Sequence, residues 1–235
     1  MKIADTAVLI TGANRGLGRA LVEEALRRGA KRVYAGTRQP FSHSDGRVTP
    51  VTLDVTNAAQ IREAAGQVAS LDLLINNAAV AQYDDLGDRA MLERHLAVNV
   101  FGLYDVTQAF LPLLTRSRGA VVNVISDSAL TPVPFVPAYS MSKAAAFSLT
   151  QSMRALWAAQ GVSVHAAMAG PIDTDMSRDA DIPKSSAETV ARGILDGVAG
   201  AQADIFPDPE SGALAGSWRA LATDVVEMRR SWQKK

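Results

Sequence analysis

Tyr139 and Lys143 stand four residues apart in the run Tyr139-Ser140-Met141-Ser142-Lys143. On a helix that spacing puts both side chains on one face. A free phenol ionises near pH ~10 and is a reluctant acid or base at neutrality. An ammonium held beside it favours the phenolate and draws the pKa toward working pH. The pair therefore reads as a proton-transfer device, against the plain alternative of an exposed Tyr and Lys on an ordinary amphipathic helix. A second cluster, Thr11-Gly12-Ala13-Asn14-Arg15-Gly16-Leu17-Gly18, follows an apolar run and precedes a helical pattern. Glycines in such a turn let backbone N–H groups approach a pyrophosphate at the positive end of a helix.

These groups need elements to hold them. Pro137 suits the first position of a helix and Gly161 its stop, with Ala144, Ala145, Ala146, Leu149, Met153 and Leu156 between them. Strands are expected at Thr6–Ile10, Val33–Gly36, Val48–Val55, Leu71–Ile75, Gly119–Ile125, Val162–Ala167 and near Ala203–Phe206. Helices are expected after Gly16, from Asn57 to Val68, from Asp84 to Leu114, from Ala187 to Val198 and in the tail from Glu210 to Trp232. Residues 38–47 are too few for a full crossover helix. The alternation implies one α/β domain over 1–235, a doubly wound parallel sheet of about seven strands in three layers (Rossmann-like). The polar, Pro-broken stretch 175–187 suits a mobile substrate lid. Ser126 closes the fifth strand, at the sheet edge where ligands bind in such folds. Asn99 lies mid-helix between Val98 and Val100, where a buried, hydrogen-bonded role is plausible.

Bulk composition narrows the function classes. Lys plus Arg and Asp plus Glu are 24 each, so no net field draws the chain to nucleic acid or to a membrane surface. There is no cysteine, hence no disulfide or thiolate site, and a reducing, cytoplasmic setting is compatible. His43, His95 and His165 are scattered without ligand spacing, so no metal is expected. No signal peptide and no apolar run long enough for a bilayer is read.

Taken in order, Thr11-Gly12-x-x-x-Gly16-x-Gly18, Asp54-Val55, Asn76-Asn77-Ala78, Asn99, Ser126 and Tyr139-x-x-x-Lys143 resemble the short-chain dehydrogenase/reductase family, in its single-domain branch. Ala79, Ile125 and Ala169 depart from the family pattern without removing a catalytic group. The resemblance implies an oxidoreductase exchanging hydride between a nicotinamide and a small carbonyl or alcohol substrate, with Tyr139 as general acid/base. It implies that Ser126 bonds the reacting oxygen, and that Lys143 tunes Tyr139 and binds the nicotinamide ribose. Asn99 is expected to hold a water linking Lys143 to solvent. Gly12, Asn14, Gly16, Leu17, Gly18, Asp54, Val55, Asn77 and Ala78 would line the cofactor, and Ile172 and Thr174 would hold its carboxamide. Phe135, Met168 and Met176 are candidates for the substrate pocket, with ordinary packing as the alternative.

The cofactor is expected to be NADP(H) rather than NAD(H). The second strand ends Ala35-Gly36-Thr37-Arg38, with no carboxylate for a ribose 2′-hydroxyl. Arg38 would grip a 2′-phosphate, Thr37 would donate to it, and Arg15 would approach from the glycine turn. A homodimer or homotetramer is also expected. With Phe147 at zero on a helical wheel, Leu156, Leu149, Met153 and Trp157 fall at about 180°, 200°, 240° and 280°, wider than one sheet-facing stripe. A non-catalytic dinucleotide-binding sensor or partner-binding protein of the same fold is the rival reading. Loss of the Tyr or the Lys would be its usual mark, and both are present.

Overall fold

A computed structural model describes residues 1–221. The glycine turn joins β1 (Ala7–Thr11) to α1 (Gly16–Arg27). β2 (Arg32–Thr37), β3 (Val48–Thr52), α2 (Ala58–Gln67) and β4 (Leu73–Asn76) follow. Then come α3 (Arg89–Leu96), α4 (Leu103–Ser117), β5 (Ala120–Val124), α5 (Pro137–Trp157) and β6 (Ser163–Ala167). β7 (Ile172–Asp173), β8 (Ser185–Ser186), α6 (Ala187–Ala199), β9 (Asp204–Ile205) and α7 (Pro209–Gly212) complete the order. One parallel sheet runs β3-β2-β1-β4-β5-β6-β9, and β7 with β8 forms a separate small pair. The order reverses between β1 and β4, which opens the crevice where ligands bind in this architecture.

β1 is buried along its whole length, as its unbroken apolar sequence requires. Val8 and Ile10 face the layer that holds Leu21, Ala25, Ile194 and Val198, whereas Leu9 faces Val106, Phe110, Leu114 and Met153. Each fully buried large aliphatic side chain contributes about 1.5–3 kcal/mol. A polar ladder crosses the second layer. Asn76 Nδ2 donates to Thr107 Oγ1 at 2.8 Å and to Asn123 Oδ1 at 2.9 Å, and Asn123 Nδ2 donates to Thr150 Oγ1 at 2.9 Å. These bonds fix β4 and β5 against α4 and α5 at the layer that carries the site.

Three expectations are corrected here. The helix read from Asp84 starts only at Arg89, capped by Asp88 and preceded by Leu86 at φ 64°. Asp84 instead caps a different helix: its Oδ2 accepts from Ala138 N at 3.2 Å, at the start of α5. The long helical stretch is broken by a π-helical segment, Ala97–Gly102. The whole span Arg89–Ser117 is long and apolar enough to pass for a membrane helix. Val106, Phe110 and Leu114 on it are nevertheless buried against the sheet, so it is a layer of this fold. The wheel argument is corrected as well. Phe147, Met153 and Trp157 are buried within this same chain, Phe147 lying 5.4 Å (ring centroids) from Trp218, and only Leu156 of that set is fully outward. The tail helix is present from 215 to 221; the rest of that reading, to Trp232, lies outside the described residues.

Candidate active site

A cavity of about 640 Å³ opens along the C-terminal edge of the sheet. It runs from the glycine turn past the ends of β2, β3 and β4 to Ser126 after β5 and Gly170 after β6. Gly12, Asn14, Arg15, Gly16, Leu17, Gly18, Arg38, Asp54, Val55, Asn77, Ala78, Ser126, Tyr139, Lys143, Ile172 and Thr174 all line it. The structure thus gathers around one cavity every expected site residue except Thr37 and Asn99.

The glycine turn has the shape a pyrophosphate needs. Gly12 and Gly16 sit at φ 67° and 51°, and a Cβ on Gly18 would come 2.1 Å from Gly12 O. Asn77 holds the turn from behind: its Nδ2 donates to Thr11 O at 2.8 Å, while Thr11 Oγ1 accepts from the N–H groups of Asn77 and Ala78. The first turn of α1 carries no acidic residue and no side-chain cap, so its N–H groups face the cavity unspent. This donor set fits the phosphates of a dinucleotide.

At the adenosine end the outcome is divided. Arg38 is exposed on the cavity wall. Thr37 is 3% exposed and its hydroxyl donates to Gln39 O at 2.7 Å, so it shapes the loop and does not line the cavity. Arg15 Nη1 lies 3.1 Å from Asp175 Oδ2, and Arg178 pairs with the same carboxylate. Arg15 thereby ties the glycine turn to the 175–187 stretch. An ion pair this exposed is worth ~0–1 kcal/mol and yields readily to a phosphate. Burial works against ionisation of Asp54, but its bonds from the Thr56 N–H and hydroxyl, with Arg38 nearby, hold its pKa below the ordinary value.

At the other end, Ser126 Oγ donates to Asp127 Oδ1 at 3.0 Å and accepts from Ser128 N at 3.2 Å. Lys143 is 4% exposed and its Nζ donates to Val124 O at 2.8 Å. The ammonium lies 5.5 Å from the centroid of the Tyr139 ring. Burial pushes the Tyr139 phenol up to about 12, against a hydrogen bond with Ser126, and the Asp127 charge adds to the rise. Burial alone lowers Lys143 to about 8. The expected drop in the phenol pKa is therefore reversed in the cofactor-free protein, because the same low-dielectric wall disfavours both charged forms.

Asn99 is 2% exposed and sits in the π-helical segment. Its Oδ1 accepts from Val80 N at 2.9 Å, and its Nδ2 donates to Val80 O and Ser142 Oγ, each at 2.9 Å. Asn99 so joins the loop after β4 to the helix of Tyr139, and all three bonds are to protein. Phe135 and Met176 line the cavity, whereas Met168 is a fully buried core residue of β6's end. The 175–187 stretch is anchored at both sides: Ile172 and Asp173 pair with Ser185 and Ser186, and Ser185 Oγ donates to Glu210 Oε2 at 3.0 Å. Among the described residues no group of three or more His, Asp or Glu is arranged around a metal.

With that geometry in hand, the comparisons with known proteins are specific. The family model for short chain dehydrogenases matches residues 6–184. A short-chain dehydrogenase from Burkholderia cenocepacia, solved in complex with NADP, is 35% identical with a TM-score of 0.88, covering 95% of this chain and 98% of that one. The NADPH-bound carbonyl reductase from chicken fatty liver is 26% identical with a TM-score of 0.76, covering 82% and 86%. Estradiol 17-beta-dehydrogenase 2 of Rattus norvegicus is 32% identical over 185 residues, 70% of this chain. That match spans about half (48%) of the rat enzyme's length. The chain belongs to the short-chain dehydrogenase/reductase family.

Proposed function

We propose that this protein is an NADP(H)-dependent oxidoreductase acting on small carbonyl or alcohol substrates, with Tyr139 as the general acid/base. The observation that carries the reading is the convergence of Ser126, Tyr139 and Lys143 with the glycine turn on one cavity. The glycine turn, Arg38, Ile172 and Thr174 would hold a nicotinamide dinucleotide, which would supply or take the hydride at the substrate carbon. The chain's own residues then handle oxygen and proton. Ser126, whose hydroxyl would turn from Asp127 Oδ1 to the substrate oxygen, would meet the negative charge that develops there. Tyr139, held protonated by burial, gives its phenolic proton to that oxygen in reduction. The Lys143 ammonium stabilises the phenolate left behind, and Asn99 holds the helix and the loop around it in register.

The preference for NADP(H) rests on Arg38 at the end of β2, on Arg15 and on the lack of a carboxylate there; the NADP-bound Burkholderia relative agrees with it. In this reading the 175–187 stretch is the substrate lid, the enzyme is a cytoplasmic homo-oligomer, and neither nucleic acid nor membrane is a partner. The test is a panel of ketones, aldehydes and alcohols, read as NAD(P)H absorbance with each cofactor. Turnover is expected, with higher kcat/KM for NADPH than for NADH. Tight NADPH binding with no turnover on a broad panel would favour the sensor reading instead.

A further inference from the structure

Ser126 carries one hydroxyl proton, and that proton is already engaged. Its Oγ accepts from Ser128 N at 3.2 Å and donates to Asp127 Oδ1 at 3.0 Å. A hydroxyl has a single donor, so it can serve the carboxylate or a substrate oxygen but not both. The Ser128 N–H holds Oγ in place, which leaves the choice to rotation of the O–H. The backbone around it is equally tied. Ser126 caps the short 3₁₀ turn Asp127–Ala129, and Asp127 N donates to Ala169 O at 3.1 Å. Ser126, Asp127 and Tyr139 all line the cavity.

The surroundings of Asp127 decide how firmly it holds that proton. Burial disfavours its charged form and the Asp208 carboxylate adds to this, whereas the Ser126 hydroxyl and the N–H groups of Ser128 and of Asp127 itself favour it. The balance raises Asp127 above its ordinary pKa. The other charged and titratable groups near it come from two elements. Asp208, ahead of α7, accepts from Gly170 N at 3.0 Å and from Ser211, and Glu210 of α7 borders the same Gly170 with its Oε2 taken by the Ser185 hydroxyl. From α5 come Tyr139, pushed up to about 12 by burial, and Lys143. The one cation among these, Lys143, is committed to Val124 O. Once protonated, Asp127 becomes a donor itself: its O–H can serve Ser126 Oγ and leave the serine proton to the cavity.

We propose that Asp127 is a positioning residue for Ser126: as a carboxylate it draws the serine hydroxyl away from a substrate carbonyl, and as a neutral carboxyl it releases it, so that carbonyl reduction gains as Asp127 takes up a proton. The proposal rests on the oxidoreductase reading above and deepens it. Asp127→Asn keeps the shape and removes the charge. With NADPH and the best ketone of the panel, its kcat/KM near pH 7 should exceed the parent's by about five- to tenfold, the difference between a charged and a neutral acceptor for one hydrogen bond. The variant-to-parent ratio should fall toward one as the pH is lowered to about 5. Taking the ratio removes whatever His95 contributes to both proteins, its ring lying 6.5 Å from that of Tyr139. In a Ser126→Ala chain the same substitution should bring no gain. A variant no faster than the parent near pH 7, a ratio independent of pH, or a gain that persists without the Ser126 hydroxyl would overturn the positioning role. Carbon-13 resonances of the aspartate carboxyls, with Asp127 assigned from Asp127→Asn, separate this claim from the enzyme reading. The Asp127 titration midpoint should rise by about one pH unit in Ser126→Ala, because the lost bond favoured the carboxylate. If no ketone is reduced yet the midpoint rises, the oxidoreductase reading fails and the coupling of Ser126 to Asp127 stands; an unmoved midpoint overturns the proposal in either case.

Discussion

Lys143 points its ammonium at a backbone carbonyl, Val124 O at 2.8 Å, while lying 5.5 Å from the ring centroid of Tyr139. The two residues to which the proposed mechanism assigns the proton chemistry are thus side by side but not directly paired. Each pays separately for burial: the phenol rises to about 12 and the ammonium drops to about 8. Ser126, beside the phenol, is the group that works against the rise.

The phenol itself is the first test. Tyr139→Phe removes one hydroxyl from a half-buried ring and leaves the glycine turn untouched. Turnover should fall ~10²–10⁴-fold, the usual contribution of a general acid/base. NADPH affinity, read by fluorescence titration, should stay within a few-fold of the parent. Retention of more than half the activity would remove Tyr139 from its role.

Lys143 predicts a pH dependence of stability. A base whose folded pKa lies below its unfolded value binds fewer protons in the folded state between the two values. Here the window runs from about 8 to the ordinary 10.5. Lys143 therefore destabilises the fold fully below pH ~8, by roughly 3 kcal/mol, and the penalty fades as pH rises through the window. Removing it in Lys143→Met also leaves Val124 O without its donor, a cost of about 1–3 kcal/mol that does not vary with pH. The measurable signature is the difference in unfolding free energy between the variant and the parent. That difference should shift in the parent's favour between pH 8 and 10.5, in cofactor-free protein followed by urea melts. A difference independent of pH across that window would contradict the assignment.

The sheet was legible because its strands are short, mostly apolar runs: β1, β4, β5 and β6 all appear within two residues of their expected bounds. The glycine turn was legible for the same reason, since its chemistry depends on backbone shape that glycine alone permits. Side-chain commitments were not. Nothing in the residue order says that Thr37 spends its hydroxyl on Gln39, or that Asp175 draws Arg15 across the cavity mouth. These depend on loop paths that tertiary packing sets. The π-helical segment around Asn99 was also invisible, because its residues follow an ordinary helical pattern, and only the bonds to Val80 and Ser142 give the extra residue a reason. Asp127 is marked in the sequence only by its place directly after Ser126; its burial beside Asp208 is set by packing.

The proposed cofactor preference is assigned to Arg38. It is exposed on the cavity wall, and its guanidinium fork matches a phosphate. A charge-assisted contact is worth about 1.5–3 kcal/mol, so Arg38→Ala should weaken NADPH binding roughly 10–150-fold. NADH has no group at that position and should bind nearly as before. Thr37→Ala, by contrast, should act through the loop and affect both cofactors alike, because its hydroxyl already serves Gln39 O. An Arg38→Ala variant that loses both cofactors equally, or a parent that uses NADH as well as NADPH, would refute the preference.

The last expectation is association of the chain with itself through α4 and α5. A wide apolar face on α5 does not supply the contact, since Phe147, Met153 and Trp157 are covered from within. What remains is different in kind. Met141, Ala144, Ser148, Ser152 and Leu156 are all exposed on α5 at spacings of three, four, four and four, hence along one face. Small residues in the middle of that face let another helix approach closely. Phe101 at 58% and Tyr104 at 42% exposure add aromatic surface at the neighbouring start of α4, and Leu156 at 71% adds the most exposed aliphatic side chain. Aromatic anchors around a close helix contact are what a stable interface uses. Light scattering at micromolar concentration should therefore give at least twice the mass of one chain. Ser148→Arg, which puts a long charged side chain in the middle of the strip, should shift that mass toward the monomer while the melting temperature at low concentration changes little. A monomeric parent would refute the association, and a Ser148→Arg oligomer as stable as the parent would place the contact on another surface.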